Sequence, residues 1–527
     1  MRLSTALFCY LRRPRSFNYV DKFRAREDRR FAKRHEYVLK PFATVEQGDD
    51  RRAQFSQSDV KVGRFEFPNP YDVRNTQHEQ AEEELRKKPP REKVPLPYHV
   101  TMENRFDLLN QVVMPLHLLN YPSQLKAKHG ALCNLMAQYG SLLRRTKSPV
   151  ILDDSGFPCP LFEPVASTKD KQYRNKDEFT IWPGLDGNPK TVGFLLGEPS
   201  KHENVFCVEP TKTFISKSTH RMLASLFQKY LTEHSPYSVC TNLAGGGHWR
   251  RFVVRSNEAG EHMIVCMMHP QNLTTKELDE EKERIRSYFQ DSSIANDFKI
   301  VSAYFQTPTG VRQANDEAPF QLLFGEESLK ENIFGLNCVI SPESFFQVNT
   351  LAAEKLYDTV LEQIEPTRDM TVIDCCSGVG ILSMATAKLV RRVIAIEQSA
   401  QAVKDAKRNA ALNKINNIHF INGKVEEALP RLTDEFYDQK VVIILNPGRG
   451  GLHHSAISSI RSFDPVSRVV YISCKPAGAS LKNFVHLAMK STRDDPGLPL
   501  LPISAIPVDM FPHTEHCELV MTFDRFL

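Results

Sequence analysis

Clustered cysteine is absent from this sequence, because its 11 cysteines are scattered over 527 residues and no two stand in a C-x-x-C spacing. We therefore expect no metal centre, and scattered thiols suit a reducing compartment. Long hydrophobic runs are also absent, although 41% of the residues are hydrophobic. No segment approaches the roughly 18 uninterrupted apolar residues that a membrane-spanning helix requires. The composition is that of a globular protein without a membrane partner.

Acidic residues are missing from the first twenty positions, MRLSTALFCYLRRPRSFNYV, which contain four arginines. Residues 1–40 hold 12 Lys/Arg against 4 Asp/Glu, whereas the rest of the chain is almost neutral. An arginine-rich, acid-free start is typical of a mitochondrial transit peptide, and the alternative is a disordered basic tail. We therefore predict a location in the mitochondrial matrix, and net charge alone does not indicate a nucleic-acid partner.

The pattern of apolar residues divides the remainder into three parts. Residues 41–98 are charged and proline-containing, and they predict a partly disordered linker. Residues 99–345 combine helical patterns with short β-like segments, which predicts an α+β domain. Residues 346–527 alternate strand and helix at short spacing, which predicts an α/β domain with a doubly wound parallel sheet.

A cofactor cleft is indicated where the first strand of the last part ends, in IDCCSGVGILS. Asp374 is followed by a turn with Gly378 and Gly380, where a missing Cβ lets the backbone approach a ligand. The next strand ends in Glu397, and an acid at that position accepts hydrogen bonds from ribose hydroxyls. Because the third glycine of the dinucleotide pattern is absent, the run favours S-adenosylmethionine; the alternative is an α/β domain without a cofactor.

Cys474 ends the strand VVYIS, and the tips of neighbouring strands in such a sheet border one crevice. The thiol is either a passive neighbour or a nucleophile that adds to C6 of a pyrimidine and makes C5 reactive towards a methyl donor. The second role needs a thiolate, which Arg449 and Lys475 would favour. It also needs a base, for which Glu515 and Glu518 are candidates; Glu518 leads into an apolar strand, where burial raises a carboxyl pKa.

Six motifs in order make the carboxyl-terminal part resemble the tRNA (uracil-5-)-methyltransferase family of RNA pyrimidine methylases. They are SFFQVN at 344–349, DCCSGVG at 374–380, IE at 396–397, NPGRGG at 446–451, YISCKP at 471–476 and VDMFPHTEHCE at 508–518. The motifs YRNK at 173–176, DGNPKTVGF at 186–194 and YPSQLKAK at 121–128 extend the resemblance upstream. With the basic amino terminus, the chain is most similar to the mitochondrial animal branch.

The resemblance implies a class I Rossmann-like methyltransferase domain preceded by an RNA-binding domain, and it implies roles by position. Cys474 would be the nucleophile and Glu518 the general base. Gln347, Glu397 and Asn446 would contact S-adenosylmethionine, beside Asp374, Gly378 and Gly380 of the cleft. Phe345 would stack on the target uracil, with Arg449 also on the substrate side. The family's usual Asp-Pro-Pro-Arg reads Asn-Pro-Gly-Arg here, and the lost negative charge should weaken contact with the cofactor's ammonium.

The predicted activity is C5 methylation of uridine in tRNA, with mitochondrial rRNA as another substrate, by a monomeric chain. Phosphate contacts would come from local patches, namely His248 to Arg251 with Arg255, and Arg174 with Lys176. Two alternatives remain open. One is a catalytically weak RNA-binding or RNA-folding factor that keeps the methylase scaffold; the other is a methylase of proteins or small molecules.

Overall fold

The computed structural model describes residues 93–241, 246–309, 318–436 and 440–526. The predicted transit peptide and nearly all of the linker lie outside these residues. Our description concerns the unit formed by residues 96–200 and 204–527. Within it are two seven-stranded sheets and a small hairpin.

The first sheet has the strand order β3-β2-β1-β4-β5-β6-β7, and its neighbours are antiparallel except for β5 and β6. Its strands are β1 (Lys176–Trp182), β2 (Thr191–Leu196), β3 (Phe206–Val208), β4 (Trp249–Ser256), β5 (His262–Met268), β6 (Ile300–Gln306) and β7 (Gln321–Gly325). These confirm the β-like segments read from the sequence.

Helices cover one face of this sheet. They are α3 (Ser218–Glu233), α4 (Thr275–Phe289) and α5 (Ser292–Phe298), and they follow α1 (Arg105–Val113) and α2 (Tyr121–Arg145) in the chain. Phe227 of α3 and Phe289 of α4 pack with Phe252 of β4 in one core. The buried residues of α3 recur at helical spacing, whereas the charged helix α4 buries only Glu281, Ile285 and Phe289.

Helix α2 precedes the first sheet in the chain but packs on the second. It begins after Asn120, whose side chain caps the helix by accepting the Ser123 N–H at 3.0 Å. Leu135 and Tyr139 join the core of the carboxyl-terminal sheet, and the Tyr139 hydroxyl donates to the Phe484 carbonyl at 2.9 Å. Helix α2 therefore belongs to the core of the second sheet.

The second sheet has the order β12-β11-β10-β13-β14-β16-β15. Its strands are β10 (Thr371–Cys375), β11 (Arg392–Glu397), β12 (Ile418–Asn422), β13 (Val441–Leu445), β14 (Val466–Ser473), β15 (Leu501–Val508) and β16 (Glu518–Asp524); the hairpin before it comprises β8 (Leu329–Ile333) and β9 (Leu336–Ile340). The first five strands are parallel, as predicted, whereas β16 and β15 are antiparallel to their neighbours.

Helices cover both faces of this sheet, which makes it doubly wound. They are α6 (Thr350–Ile364), α7 (Ile381–Ala387), α8 (Ala400–Leu412), α9 (Val425–Ala428), α10 (His454–Ser462) and α11 (Ala479–Ala488). Helices α6 to α8 pack into one core and α9 to α11, with α2, into the other. The central strand β13 is buried along its whole length, as a strand covered on both faces must be.

The strand order creates a crevice at one edge of the sheet. Strand β10 lies between β11 and β13: the chain runs outwards from β10 through β11 to β12 and then returns to β13 on the other side of β10. In open α/β sheets ligands bind at the carboxyl ends of the strands next to such a point. Within the described ranges no helix is both long and apolar enough to cross a membrane, and no three His, Cys, Asp or Glu residues are grouped to hold a metal ion.

Candidate active site

The turn after β10 leaves the strand through three residues with positive φ. These are Cys376 (63°), Gly378 (56°) and Gly380 (80°). A Cβ on Gly378 would meet open space, whereas one on Gly380 would lie 3.0 Å from the Cβ of Ala406. Gly378 thus leaves room for a ligand, and Gly380 allows close packing against α8.

Two carboxylates border this turn. The Gly378 N–H donates to Oε2 of Glu397 at 3.0 Å and the Ser399 N–H to Oε1 at 2.9 Å, so the carboxylate is held in one orientation. Asp374 is buried and accepts the Ser383 hydroxyl at 2.5 Å. Burial raises the pKa of Asp374 to about 7, although the hydrogen bond from Ser383 opposes this shift.

One cavity of about 990 Å³ joins nine of the ten predicted site residues. It is lined, among others, by Phe345, Gln347, Asp374, Gly378, Glu397, Asn446, Arg449, Cys474 and Glu518. Gly380 lies behind the turn, against Ala406 and Phe420. The volume is at the upper end of the range for ligand sites, roughly 300–1,000 Å³. A cavity of this size has room for a nucleoside-sized cofactor and a nucleobase together.

Antiparallel pairing brings Cys474 and Glu518 together although 44 positions separate them. The register of β14 with β16 pairs Ser473 with Leu519. The next residue on each strand is Cys474 on one and Glu518 on the other, so the two side chains leave the end of the ladder beside each other. Their charges interact, because the Glu518 carboxylate contributes to the pKa of the Cys474 thiol.

Glu518 is 3% exposed, and its burial raises its pKa to about 8, although the positive charge of Arg449 opposes the shift. A carboxyl group with such a pKa is a more effective base near neutral pH than an exposed one. The direction is the one that the sequence predicted from the apolar strand.

Arg449 lowers the pKa of the Cys474 thiol, as predicted, but the net shift is upward. Burial raises the thiol pKa, the Glu518 carboxylate raises it further, and the charge and hydrogen bond of Arg449 only partly compensate. Lys475, the second expected neighbour, is not among the causes of the shift. The surroundings of Cys474 in the free protein therefore disfavour the thiolate.

Phe345 is exposed in a segment that is otherwise buried. Its side chain is 66% exposed, whereas Ser344 and Phe346 are 3% and 5% exposed. The ring stands at the cavity wall, with Gln347 two residues further along the same wall. An exposed aromatic ring at a cavity offers a surface on which a nucleobase can stack.

For Trp249, Arg250 and Arg255 the prediction of an exposed RNA-binding patch is wrong. Trp249 is fully buried against Phe227, and Arg250 and Arg255 are 8% and 4% exposed. Arg251 pairs with Glu178 at 3.0 Å. Trp249, Arg250, Arg251 and Arg255 lie on β4, which has β1 on one side and β5 on the other. Seven of the eight side chains of this strand are buried.

The two residues of the second predicted patch, Arg174 and Lys176, have different surroundings in the structure. Lys176 pairs with Glu178 at 2.7 Å, whereas Arg174 lines the cavity and donates from Nε to Asp177 Oδ1 at 2.9 Å. Asp177 is 1% exposed and also accepts from the Ser216 hydroxyl at 3.0 Å. The guanidinium of Arg174 is thus held at the cavity from one side.

The sequence did not indicate a further partner of Asp177, the buried histidine His220. His220 Nδ1 lies 2.8 Å from Asp177 Oδ2, and its Nε2 lies 2.8 Å from the Ser256 hydroxyl. This Asp-His-Ser arrangement is not a hydrolytic site, because Ser256 is 2% exposed and no substrate can reach it. The residues lie far apart in the chain, so no local motif could have indicated the network. His516 also lines the cavity, just before β16 begins at Glu518.

The doubly wound sheet and its crevice define a Rossmann-like methyltransferase fold. A family model described as tRNA (Uracil-5-)-methyltransferase matches residues 336–525. The chain is 38% identical over 420 residues to tRNA (uracil-5-)-methyltransferase homolog B of Danio rerio, covering 79% of this chain and 86% of the relative. It is 37% identical over 427 residues to homolog B of Homo sapiens, covering 79% and 84%.

A solved structure has the same fold. The tRNA (uracil-54, C5)-methyltransferase of Pyrococcus abyssi, solved in complex with S-adenosyl-L-homocysteine, aligns with a TM-score of 0.53 at 22% identity and covers 78% of this chain and 86% of its own. The identities to the animal relatives decide membership. The chain belongs to the tRNA (uracil-5-)-methyltransferase family.

Proposed function

We propose that the protein transfers a methyl group from S-adenosylmethionine to C5 of a uridine in tRNA. The observation that carries the proposal is the meeting of Cys474 and Glu518 in the cavity that the Gly378 turn also borders. Membership of the family supports both the activity and the class of substrate.

The residues at the turn fit the methyl donor. Gly378 leaves open space at its Cα, and the Glu397 carboxylate is fixed beside it for the ribose hydroxyls. Gln347 and Asn446 line the same wall and offer amide groups to the amino-acid moiety. When bound, the donor supplies an electrophilic methyl group on a sulfonium.

The reaction begins with a thiolate. Cys474 adds through sulfur to C6 of the uracil, and the C5–C6 electron pair moves into an enolate. C5 then attacks the methyl carbon, whose bond to sulfur breaks, so that S-adenosylhomocysteine is released. Glu518 removes the proton from C5, and the returning electron pair restores the C5–C6 double bond and expels Cys474.

Burial raises the pKa of the Cys474 thiol in the free protein, so that nearby positive charge is needed to favour the thiolate. Two charges act in that direction: the sulfonium of the donor and Arg449, which already opposes the shift.

The target base must leave its stack to reach Cys474, at a cost of a few kcal/mol. The exposed Phe345 ring offers a surface on which the extruded uracil stacks. Arg174, held by Asp177, places its remaining guanidinium nitrogens near the cavity for an oxygen of the substrate backbone.

We infer a mitochondrial location from the arginine-rich, acid-free composition of residues 1–20. We propose mitochondrial rRNA as a second substrate, which such a location would make accessible. Sequencing of organellar RNA for 5-methyluridine, with and without this protein, tests both inferences. Loss of the modification from tRNA alone would exclude the rRNA role, and loss from cytosolic RNA alone would contradict the location.

One residue favours a second candidate, a catalytically weak RNA-binding factor. Asn446 stands where the family has an aspartate, so that one charge towards the donor's ammonium is missing. A covalent trap separates the two functions. Fluorine at C5 cannot leave as a proton does, so an active enzyme that has methylated 5-fluorouridine remains bonded to the RNA.

We expect the full-length protein, mixed with S-adenosylmethionine and 5-fluorouridine-substituted tRNA, to form a complex that survives denaturant. Cys474→Ala should form none while still binding the cofactor. Cys376→Ala is the matched control, because Cys376 is the other partly exposed cysteine at the cavity. An adduct that persists in the Cys474 variant, or none in the parent protein, would contradict the proposed chemistry.

A further inference from the structure

Arg255, predicted as part of an RNA-binding patch, is instead directed at the segment that carries Phe345. Its Nη2 donates to the Ser344 carbonyl at 2.9 Å and its Nη1 to the Ser341 carbonyl at 3.4 Å. These carbonyls lie at the two ends of the turn that immediately precedes Phe345. Burial lowers the pKa of Arg255 to about 10, so the guanidinium remains charged at neutral pH.

Asp405 of α8 holds the same turn from the methyltransferase domain. Its Oδ2 accepts the Ser344 hydroxyl at 2.6 Å, and its Oδ1 accepts the Ser341 hydroxyl at 2.9 Å. Asp405 and Arg255 are each 4% exposed, and their opposite charges attract across the turn. Each end of the turn is thereby bonded to both charged groups.

Asn175 fixes the chain on the other side of Phe345. Its side-chain amide donates to the Gln347 carbonyl at 2.7 Å and to the Thr350 hydroxyl at 2.9 Å. The backbone of Phe345 is thus restrained before and after the residue, while its ring is 66% exposed. A backbone restrained in this way limits where the ring can stand.

We propose that Arg255 and Asp405 are positioning residues, which hold Phe345 at the cavity so that its ring receives the substrate base. This inference rests on the proposed function, because it assigns the base to Phe345. Arg255 comes from β4 of the first sheet and Asp405 from the second domain, so the stacking surface depends on the joint between them. Neither residue touches the reacting atoms.

A double-mutant cycle tests the proposal. Misplacement of a substrate-binding group by a fraction of an ångström reduces the rate, and we expect Arg255→Met to lower kcat/KM for RNA about tenfold with an unchanged Kd for S-adenosylmethionine. In a Phe345→Ala background the same change should have no further effect, because Arg255 acts through the ring. Equal losses in both backgrounds would overturn the proposal.

Arg525→Met is the matched control. Arg525 is 6% exposed, donates to the carbonyls of Phe463 and Arg461, and has its pKa lowered to about 10 by burial, but it lies in the carboxyl-terminal core. Both Met variants should lower Tm, and only Arg255→Met should show coupling to Phe345. A coupling of the same size for Arg525→Met would reduce the role of Arg255 to general stability.

A readout that does not depend on activity separates failure of this inference from failure of the proposed function. With 4-fluorophenylalanine at position 345, we expect one narrow fluorine resonance in the parent protein and in Arg525→Met, and a shifted or broadened one in Arg255→Met and Asp405→Asn. An unchanged spectrum in both variants would overturn the positioning role of Arg255 and Asp405, even if the parent protein methylates RNA. A parent protein that makes no 5-methyluridine would overturn the proposed function and leave the positioning role standing. Should Arg255→Met not fold, Arg255→Lys, which retains one donor, should give an intermediate spectrum.

Discussion

Replacement of Glu518 by glutamine should make the protein more stable and at the same time stop the reaction. Burial raises the pKa of this carboxyl from an ordinary value of 4.5 to about 8. In the unfolded chain the group ionises as the pH passes about 4.5, whereas in the folded chain it stays protonated up to about 8. Below pH 4.5 both states hold the proton, and the contribution of Glu518 to stability is fully present; it is lost progressively as the pH rises through 8.

The magnitude follows from these two values. Each pH unit between them costs about 1.4 kcal/mol, so that at pH 7 burial of the ionisable group has cost about 3 kcal/mol of the free energy of unfolding. Glutamine has the same size and does not titrate. The difference in unfolding free energy between variant and parent should therefore increase by about 3 kcal/mol from pH 4.5 to pH 7 and level off above pH 8.

Urea unfolding of both proteins at several pH values measures this difference, in which the other titrating groups cancel. Glu331→Gln is the matched control. Glu331 is 7% exposed, its pKa is raised to about 7 by burial, and it lies in β8, away from the residues that line the cavity. Its replacement should give a comparable gain in stability and leave methylation unchanged.

The expected loss of catalysis in Glu518→Gln is tested with tRNA that carries tritium at C5 of uridine. Release of the label from the covalent complex reports proton removal by Glu518, and Cys474 no longer titrates because it is bonded to C6. With a pKa of about 8, about a tenth of the carboxyl is ionised at pH 7 and about nine-tenths at pH 9. Release should rise about tenfold between these values and should fall at least 100-fold in Glu518→Gln. A stability difference that is flat in pH, or release that is independent of Glu518, would refute the reasoning.

Two further outcomes follow from the cofactor side of the cavity. Asn446→Asp should lower the Kd for S-adenosylmethionine about tenfold, because it restores a charge-assisted bond worth about 1–2 kcal/mol. Isothermal titration calorimetry measures this Kd, with Asn446→Ala as the control. An unchanged Kd would mean that the side chain does not contact the ligand. Gly380→Ala should lower Tm more than Gly378→Ala, because both have positive φ but only the first brings a Cβ to 3.0 Å from Ala406. Gly378→Ala should instead mainly weaken cofactor binding, and the reverse ranking in calorimetry would contradict the roles given to the two glycines.

The sequence by itself was sufficient for the elements and most of the site. Alternation of strand and helix indicated the doubly wound sheet, because each parallel strand needs a helical return. The tips of those strands carry Asp374, Glu397, Asn446 and Cys474, and strand tips of one parallel sheet share an edge. The same local periodicity is present in α3, whose buried residues recur at helical spacing between β segments.

Only the tertiary structure decided which polar groups are partnered and which are available. Arg255 and Arg174 look alike in the sequence, yet one is buried behind Phe345 and the other lines the cavity. The sign of the Cys474 shift also depended on burial and on Glu518, 44 positions away in the chain. Strand and helix patterns follow from local periodicity, whereas the burial and pKa of a side chain depend on every element packed around it. In this protein, the elements packed around the cavity residues come from distant parts of the chain, so only the folded structure brings them together.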